Sequence, residues 1–548
     1  MEDVALGILD GTRLPAAVLA LDPFEPCGPR LCCGLSVGTD RKLRERDEET
    51  LRERSRGLGR RSGSLRSRGG GGLLLAAAGG QPRRKGEQGE RTATLHEDLL
   101  GQRDVAGPSR GVTQPPGLWY RLGVTRLELQ PPRGTRDFYP EDLRRRRWLF
   151  DHFREVARRF GFEEVDAPVV EHADLFTRKA GEEIVEQLYH FELHDRHLAL
   201  RPEMTPSIAR MVIGRSGALR LPLRWFTVTQ NWRYERTTRG RKREHFQWNM
   251  DVWGEPGVAA EAELIAAICA LVDRLGLAPG DVRIRLSSRA LLEEVLREGV
   301  LRERPEAFGA LCVVIDKLPK IGPEAVIELL SDPAGEVRLE AGAAREVVDS
   351  LGVRDLDEAA RRAPADSTAV GELRQLFELL AAYGVADRVV FDASIVRGLA
   401  YYTGIVFEAF DAGATLRALC GGGRYDRLSE TLGGPGIPAV GFGFGDVVIQ
   451  ELLSDRGLLP DIPRALDDVV YPFGPAERPA AIRLASRLRA EGRAVELVLG
   501  EIRPRRALAD ADRSGARRIL LVGPDELSRG VARVRDLESG AEHDEPLG

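Results

Sequence analysis

Between Arg224 and Gly254 the chain reads RWFTVTQNWRYERTTRGRKREHFQWNMDVWG, and its alternation leaves little structural freedom. Thr227, Thr229, Asn231, Arg233 and Glu235 share one parity, while Phe226, Val228, Trp232 and Tyr234 hold the other. That is the two-residue period of a strand with one polar and one apolar face. His245, Gln247, Asn249 and Asp251 then alternate with Phe246, Trp248, Met250 and Val252, and the joining TTRGRKR carries a glycine and four basic residues. The simplest structure is an antiparallel hairpin with a cationic tip. Its polar face mixes cation, carboxylate and amide and contains no lysine. Such a face is either solvated or the floor of a ligand site.

A chain of 548 residues exceeds one core and implies about three domains. With 43% apolar and 30% charged residues it has the composition of a soluble globular protein, and no apolar run approaches the about 20 residues that span a bilayer. The net charge is only -5, so a nucleic acid would be met by local basic patches and not by the average field. Cys27, Cys32 and Cys33 crowd the amino end, and Cys269, Cys312 and Cys420 stand alone. This pattern gives neither a disulfide framework nor a zinc motif and suits a reducing compartment.

Residues 1–125 differ from the rest. From Arg41 to Arg91 the chain is Arg, Gly, Ser and Glu without a sustained period, a composition that cannot offset its ordering entropy and is expected to be disordered. An RNA-tethering arm is one reading. A targeting peptide fits less well, because acidic residues interrupt the segment. After Met1 the next methionine is Met204, so a third reading places the true start near Val112 or Val124, at a non-standard initiation codon.

Order is expected from Leu129. Pro140, with Glu141 and Asp142 behind it, opens a long amphipathic helix that ends at Gly161. Pro168 interrupts the following strand, as ladders tolerate mainly at edges, and such an edge suits a subunit contact. A hairpin turns near Asp195. Thr205 and Pro206 are expected to open a helix as cap and first residue, and Glu203 ahead of it could receive an ammonium group. Leu291 to Gly384 reads as charged helices. After a linker, VVYPF, VELVL and ARRILLVG alternate with two helices, as in a small α/β unit with a mainly parallel sheet.

LQPPRGTRDFYPED, LRPEMTPSIAR and RYER...GRKREHFQWNMD together resemble the core of a class II aminoacyl-tRNA synthetase, and specifically the histidyl-tRNA synthetase family. Arg397-Gly398-Leu399-Ala400-Tyr401-Tyr402-Thr403-Gly404 is similar to that family's first histidine-specific motif and Gly421-Gly422-Gly423-Arg424-Tyr425-Asp426 to its second. The likeness runs from about Leu129 to the carboxy terminus. It implies an α/β fold: an antiparallel-sheet catalytic core over 129–455, a helical insertion at about 287–385 gripping tRNA, and an α/β anticodon-binding domain over 466–548.

The implied reaction joins histidine to ATP as an adenylate and then to tRNA(His), and the implied partners are L-histidine, ATP with Mg2+ on its phosphates, tRNA and a second subunit, in the cytoplasm. Negative charge grows on the α-phosphate during activation, which calls for fixed guanidinium groups. By resemblance these are Arg233 and Arg397, with Arg236, Arg241 and Arg243 on the remaining phosphates or the tRNA end. Glu203, Thr205 and Gln247 match the positions that receive the α-ammonium. Asp251 and Tyr402 match those that read the imidazole, and Tyr425 closes the pocket. Tyr401, apart from the family, reads as a core aromatic. No metal ligand set is implied in the protein itself.

The chain departs from the family pattern in two places. Ala400 stands where an aspartate is usual, which removes one partner for Arg397. Val447 and Val448, after Asp446, stand where a glutamate–arginine pair usually holds ATP's adenine and γ-phosphate. Arg503, Arg505, Arg506, Arg517 and Arg518 are candidate RNA contacts in the last domain. Two rival functions share the fold: a regulatory subunit of ATP phosphoribosyltransferase, and a synthetase for another amino acid of the subclass.

Overall fold

The computed structural model describes residues 128–177, 185–399 and 401–548. The Arg/Gly/Ser-rich segment, the three amino-terminal cysteines and Ala400 lie outside the described residues. Cys269, Cys312 and Cys420 are buried free thiols.

Eight strands form the central sheet. They are β1 (Glu163–Glu164), β5 (Leu223–Trp232), β6 (Glu244–Trp253), β7 (Val282–Ser288), β8 (Val389–Phe391), β9 (Ile405–Asp411), β10 (Cys420–Arg424) and β11 (Ala439–Gly445). Their spatial order is β1-β5-β6-β11-β10-β9-β7-β8. All internal pairs are antiparallel, and only the edge strands β1 and β8 join in parallel. The hairpin expected from alternation is β5–β6, in continuous register from Leu223↔Trp253 to Trp232↔Glu244. A smaller sheet of β2 (Val170–His172), β4 (Arg196–Leu200) and β3 (His190–Leu193) stands apart, so Pro168 lies between two sheets. The β3–β4 turn holds His194 and Asp195 in the left-handed region.

Helix α1 (Pro140–Arg159) buries Leu149, Phe150, Phe153, Val156 and Ala157. Phe153 stacks on Trp248 with ring centroids 5.2 Å apart. This apolar face of the sheet, with Phe442 and Phe444, continues into helix α3 (Ala259–Arg274) to form the main core. Burial of these rings and of the many aliphatic side chains around them holds it together, at about 25 cal/mol per Å² removed from water.

Helix α2 (Thr205–Arg215) corrects one expectation. Its cap position is Met204, with no side-chain cap bond, and Thr205 is already helical. Proline at the second position is tolerated because its missing N–H would be unpaired there, and the Thr205 hydroxyl is not consumed as a cap.

Between β7 and β8 the chain is helical, from α4 (Arg289–Glu298) through Thr368–Ala382. Part of this segment has its own core of Leu296, Leu311, Cys312, Ile315, Val326 and neighbours. The carboxy-terminal sheet has the order β13 (Val495–Leu497), β12 (Leu466–Pro472), β14 (Ala516–Val522), β15 (Val531–Asp536), β16 (Glu542–Pro546). Its first three strands are parallel, and the last two add an antiparallel hairpin that the sequence reading missed. Arg518 and Arg493 pair with the buried Asp468 at 2.8 Å and closer, so Arg518 holds this sheet together and is not a free RNA contact. Arg503, Arg505, Arg506 and Arg517 are exposed, with Arg506 3.4 Å from Asp510.

Candidate active site

The site is a face of the central sheet from which side chains have been removed. Along β11, Gly441, Gly443 and Gly445 stand opposite Asp251, Asn249 and Gln247 of β6. A Cβ on Gly441 would lie 2.4 Å from Asp251 Oδ1, and one on Gly443 would lie 2.7 Å from Gln247 Nε2. On β10, Gly421 pairs with Gly443 on one side and Glu408 of β9 on the other. A Cβ there would meet the Arg397 guanidinium at 2.4 Å. From Asn249 across two glycine strands to Glu408 is therefore three strand spacings, roughly 14 Å of bare backbone. Polar groups line both ends.

At the hairpin end, Thr227, Thr229, Asn231, Asn249 and Asp251 are buried. Asn231 Nδ2 donates to Gln247 Oε1 at 3.2 Å. The Tyr425 hydroxyl donates to Asp251 Oδ1. Asp251 Oδ2, Asn231 Oδ1 and Asn249 Oδ1 are buried without a partner among the described residues. Buried polar atoms are nearly always paired, so three unpaired acceptors on one face mark a place for a ligand with donors. Burial pushes the Asp251 carboxyl up to about 7, against the Tyr425 hydrogen bond that favours its charge, with Glu203 adding repulsion.

Glu203 lies just before α2. Burial raises its pKa, while Arg233 and the Tyr401 hydroxyl draw it down. Tyr401 donates to Glu203 Oε2 at 3.1 Å. Tyr401 does pack against Tyr402 and Tyr425, yet its hydroxyl belongs to the site, so its reading as a core aromatic was incomplete. Tyr402 and Tyr425 are both buried in the cluster behind α2.

Arg233 leaves the end of β5. Its Nε donates to Pro202 O at 2.9 Å, and Nη2 lies 3.9 Å from Glu203 Oε2. Arg397 arrives from the opposite side. It adopts φ 62, the left-handed region that non-glycine residues rarely occupy. Its Nη1 pairs with Glu408, and its Nε is buried without a partner among the described residues. Burial alone would lower its pKa, but Glu408 and Tyr402 raise it overall, so the cation is permanent. Glu408 thus supplies a counter-charge for Arg397. The alternation of VFEAF could have flagged it, since Glu408 interrupts an otherwise apolar strand.

The loop arginines divide by role. Arg243 lies over the Tyr234 ring at 3.7 Å and Arg241 pairs with Glu235. Arg239 binds Glu451 at 2.9 Å and Asp455 at 2.6 Å, tying the hairpin tip to helix α5 (Asp446–Asp455). Arg236 is exposed. Arg417, on the β9–β10 loop, escaped the sequence reading. Burial lowers its pKa, as do Arg241 and Arg233, while Glu235 and Glu408 oppose them. His245 is pushed down to about 3 by burial and by Arg233, Arg136, Arg417 and Arg241 around it. Among these guanidinium groups, Arg136 is paired with Glu244 and Asp446 and Arg241 with Glu235.

The last helix is built differently from the usual pattern. Asp446 accepts from Phe246 N at 2.9 Å and from Arg136 at 3.1 Å, and Arg136 also reaches Glu244 at 3.4 Å. Val448 is buried in the main core. Beside the tyrosines a cavity of about 400 Å³ extends from Glu203, Tyr401 and Tyr402 to Arg289 and Glu293 of the helical segment.

Comparison with known proteins agrees with this geometry. A histidyl-tRNA synthetase family model matches residues 134–445, and an anticodon binding domain model matches residues 468–547. The chain belongs to the histidyl-tRNA synthetase family. It is 47% identical over 416 residues to the chloroplastic/mitochondrial histidine–tRNA ligase of Arabidopsis thaliana, covering 76% of this chain and 84% of that protein. The histidine–tRNA ligase of Opitutus terrae is 41% identical over 75% of this chain and 95% of its own. The histidyl-tRNA synthetase structure from Nostoc sp. PCC 7120 superposes with a TM-score of 0.60 at 23% identity, covering 77% of this chain and 97% of that one. The class II α/β fold follows.

Proposed function

We propose that the protein is an ATP-dependent histidine–tRNA ligase acting in translation, in which the glycine floor carries the amino acid at the Asp251 end and the α-phosphate between Arg233 and Arg397. The observation that carries this reading is the buried Asp251 carboxylate, with one oxygen on Tyr425 and the other unpaired. A neutral imidazole offers one N–H and one acceptor. Asp251 takes the N–H, and the Tyr402 hydroxyl donates to the other nitrogen. Tyr425 orients Asp251 and closes the pocket. Glu203, Thr205 and Gln247 receive the α-ammonium, with Tyr401 leaving Glu203 to make room.

The histidine carboxylate attacks the α-phosphorus and pyrophosphate leaves. Arg233 and Arg397 stabilise the charge gathering on the non-bridging oxygens, a contribution of about 3 kcal/mol for one such donor. Arg241, Arg236 and Arg417 face the outer phosphates, and Arg243 braces the loop through Tyr234. The terminal ribose hydroxyl of tRNA(His) then attacks the acyl carbon, and AMP leaves. Mg2+ enters on the ATP phosphates as part of the substrate.

The domains proposed are a catalytic core over 129–455, with the helical insertion at about 287–385 against the tRNA, and an anticodon-binding domain over 466–548 that meets RNA through Arg503, Arg505 and Arg517. A homodimer is proposed through the exposed Val169, Val170, Phe191 and Leu193, which sedimentation of the purified protein tests. The proposed compartment is the cytoplasm, and no described helix is long and apolar enough to cross a membrane. Because the Arabidopsis relative is named as an organellar protein, a fluorescent fusion of the full chain decides between the cytoplasm and an organelle.

ATP–pyrophosphate exchange over a panel of amino acids tests the reading. Exchange with histidine alone is expected. Exchange with a different amino acid would make the protein another synthetase, and none at all would favour a regulatory binding protein.

A further inference from the structure

Arg397 is assigned to the catalytic sheet by its contacts, but its backbone is held from elsewhere. Ile395 and Tyr402 pack in the cluster behind α2, whereas Val396 between them packs in the core of the helical segment with Leu296, Leu311, Cys312 and Ile315. At Gly398 a Cβ would lie 2.7 Å from Asp316 Oδ2, so the same segment closes over the next turn. Arg289, the first residue of α4, is 4% exposed and completes the grip. Its Nη1 donates to Leu399 O at 2.8 Å, and its backbone N–H donates to Gly404 O at 2.9 Å. Its Nε is buried without a partner among the described residues. Burying a guanidinium with part of its donor set unpaired is unfavourable by several kcal/mol, so the contacts it does make, to the Leu399 carbonyl and to the Cys312 thiol, carry its retention there. The left-handed φ of 62 at Arg397 likewise persists only if its surroundings hold it.

We propose that Arg289 is a positioning residue for Arg397: by clamping the Leu399 carbonyl from the junction of β7 and α4 it sets where the activating guanidinium stands. A displacement of α4 then moves the Leu399 carbonyl and alters adenylate formation without touching the histidine pocket floor on β6 and β11. The proposal rests on the reading of Arg397 as an activating group, and its test is built to fail separately from that reading.

ATP–pyrophosphate exchange with histidine is measured for the wild type, Arg289→Met, Arg289→Lys, Arg397→Ala and the double variant Arg289→Met/Arg397→Ala. A misplacement of about 1 Å lowers a rate about 10²-fold, so Arg289→Met is expected to lose about that factor in kcat with the KM for histidine unchanged. Arg289→Lys keeps one donor for Leu399 O and is expected to recover most of the loss. The double variant is expected to be no slower than Arg397→Ala alone, because Arg289 acts through Arg397. Multiplying losses in the double variant, a lysine variant as slow as the methionine variant, or a rise in histidine KM without a fall in kcat would each overturn the proposal. If Arg289→Met does not fold, Arg289→Gln, which shortens the side chain and removes the charge, applies the same test alone and combined with Arg397→Ala. Absence of exchange in the wild type would instead strike the proposed function.

Discussion

The two walls of the site are made in opposite ways. The hairpin wall is regular: Gln247, Asn249 and Asp251 project from a strand paired on both sides, and their positions follow from register. The facing wall is irregular, because Arg397 sits in left-handed backbone on a loop held by the helical segment and reaches back over Gly421. A paired strand cannot shift one side chain without shifting its neighbours. A loop can move within a smaller unit of structure. The contrast suits the two proposed tasks, since selection needs a fixed shape and a charge stabiliser must meet a phosphate that arrives and leaves.

If the irregular wall carries activation, Arg397→Ala should show the largest effect. Losing one preorganised donor lowers kcat by about 10²–10³-fold, and the expected result is loss of that size in exchange with histidine binding still measurable. Near-normal single-turnover activation would end the assignment. Next comes Asp251→Asn, which attacks the regular wall. Here the loss should fall on histidine KM, about 10²-fold, the size of one hydrogen bond to a charged group.

The same variant carries a pH signature. The Asp251 carboxyl is raised from 3.8 to about 7 by burial, so the folded protein holds a proton that the unfolded chain has released. Stability from this group is therefore greatest at low pH and lost as pH rises from about 4 through 7. Asp251→Asn should be more stable than the wild type at pH 8 in thermal unfolding. Histidine affinity should weaken as pH falls through 7 in the wild type, beyond what titration of histidine itself produces, and the variant supplies that baseline. Equal pH profiles would remove the carboxylate from imidazole recognition. Gly421→Ala is expected to rank third: its methyl displaces the Arg397 guanidinium, a flexible group, so kcat should fall while histidine KM holds.

How much of this was legible in the sequence follows the same division. Alternation exposed the hairpin and its polar face because a strand's period is local. The glycines of β10 and β11 were visible as motifs, but their purpose depends on which strands pair, and pairing Gly443 with both Asn249 and Gly421 is a tertiary fact. Thr205 looked like a cap from its neighbours, whereas the cap position is Met204 and Thr205 is already in the helix. Glu408 and Arg417 were missed because each gains meaning only from partners distant in sequence. The β15–β16 hairpin was missed because its strands are short and half charged.

The smaller effects test the hairpin tip, where both walls meet the outer phosphates. Arg417 lies among Arg233 and Arg241 with carboxylates Glu235 and Glu408 nearby. Losing one of several cations around a triphosphate should raise ATP KM about tenfold, with histidine KM unchanged. An effect on histidine alone would show that the loop belongs to the other end of the floor.

Val448 should give the smallest effect on activity. Its side chain is 6% exposed in the main core, and its Cγ2 would lie 3.4 Å from a Cβ on Gly240 at the hairpin tip. It therefore supports the loop through packing and offers no group to a nucleotide. Val448→Ala removes two buried methyl groups and should destabilise the fold by about 2 kcal/mol, read as a lower unfolding midpoint, while ATP KM stays near the wild-type value. Arg239 already ties the tip to α5 through Glu451 and Asp455, which is why the loop should keep its place when the valine is trimmed. A rise in ATP KM as large as that expected for Arg417→Ala would instead mean that the tip depends on the valine for its position, and that this end of the site is as movable as the Arg397 loop.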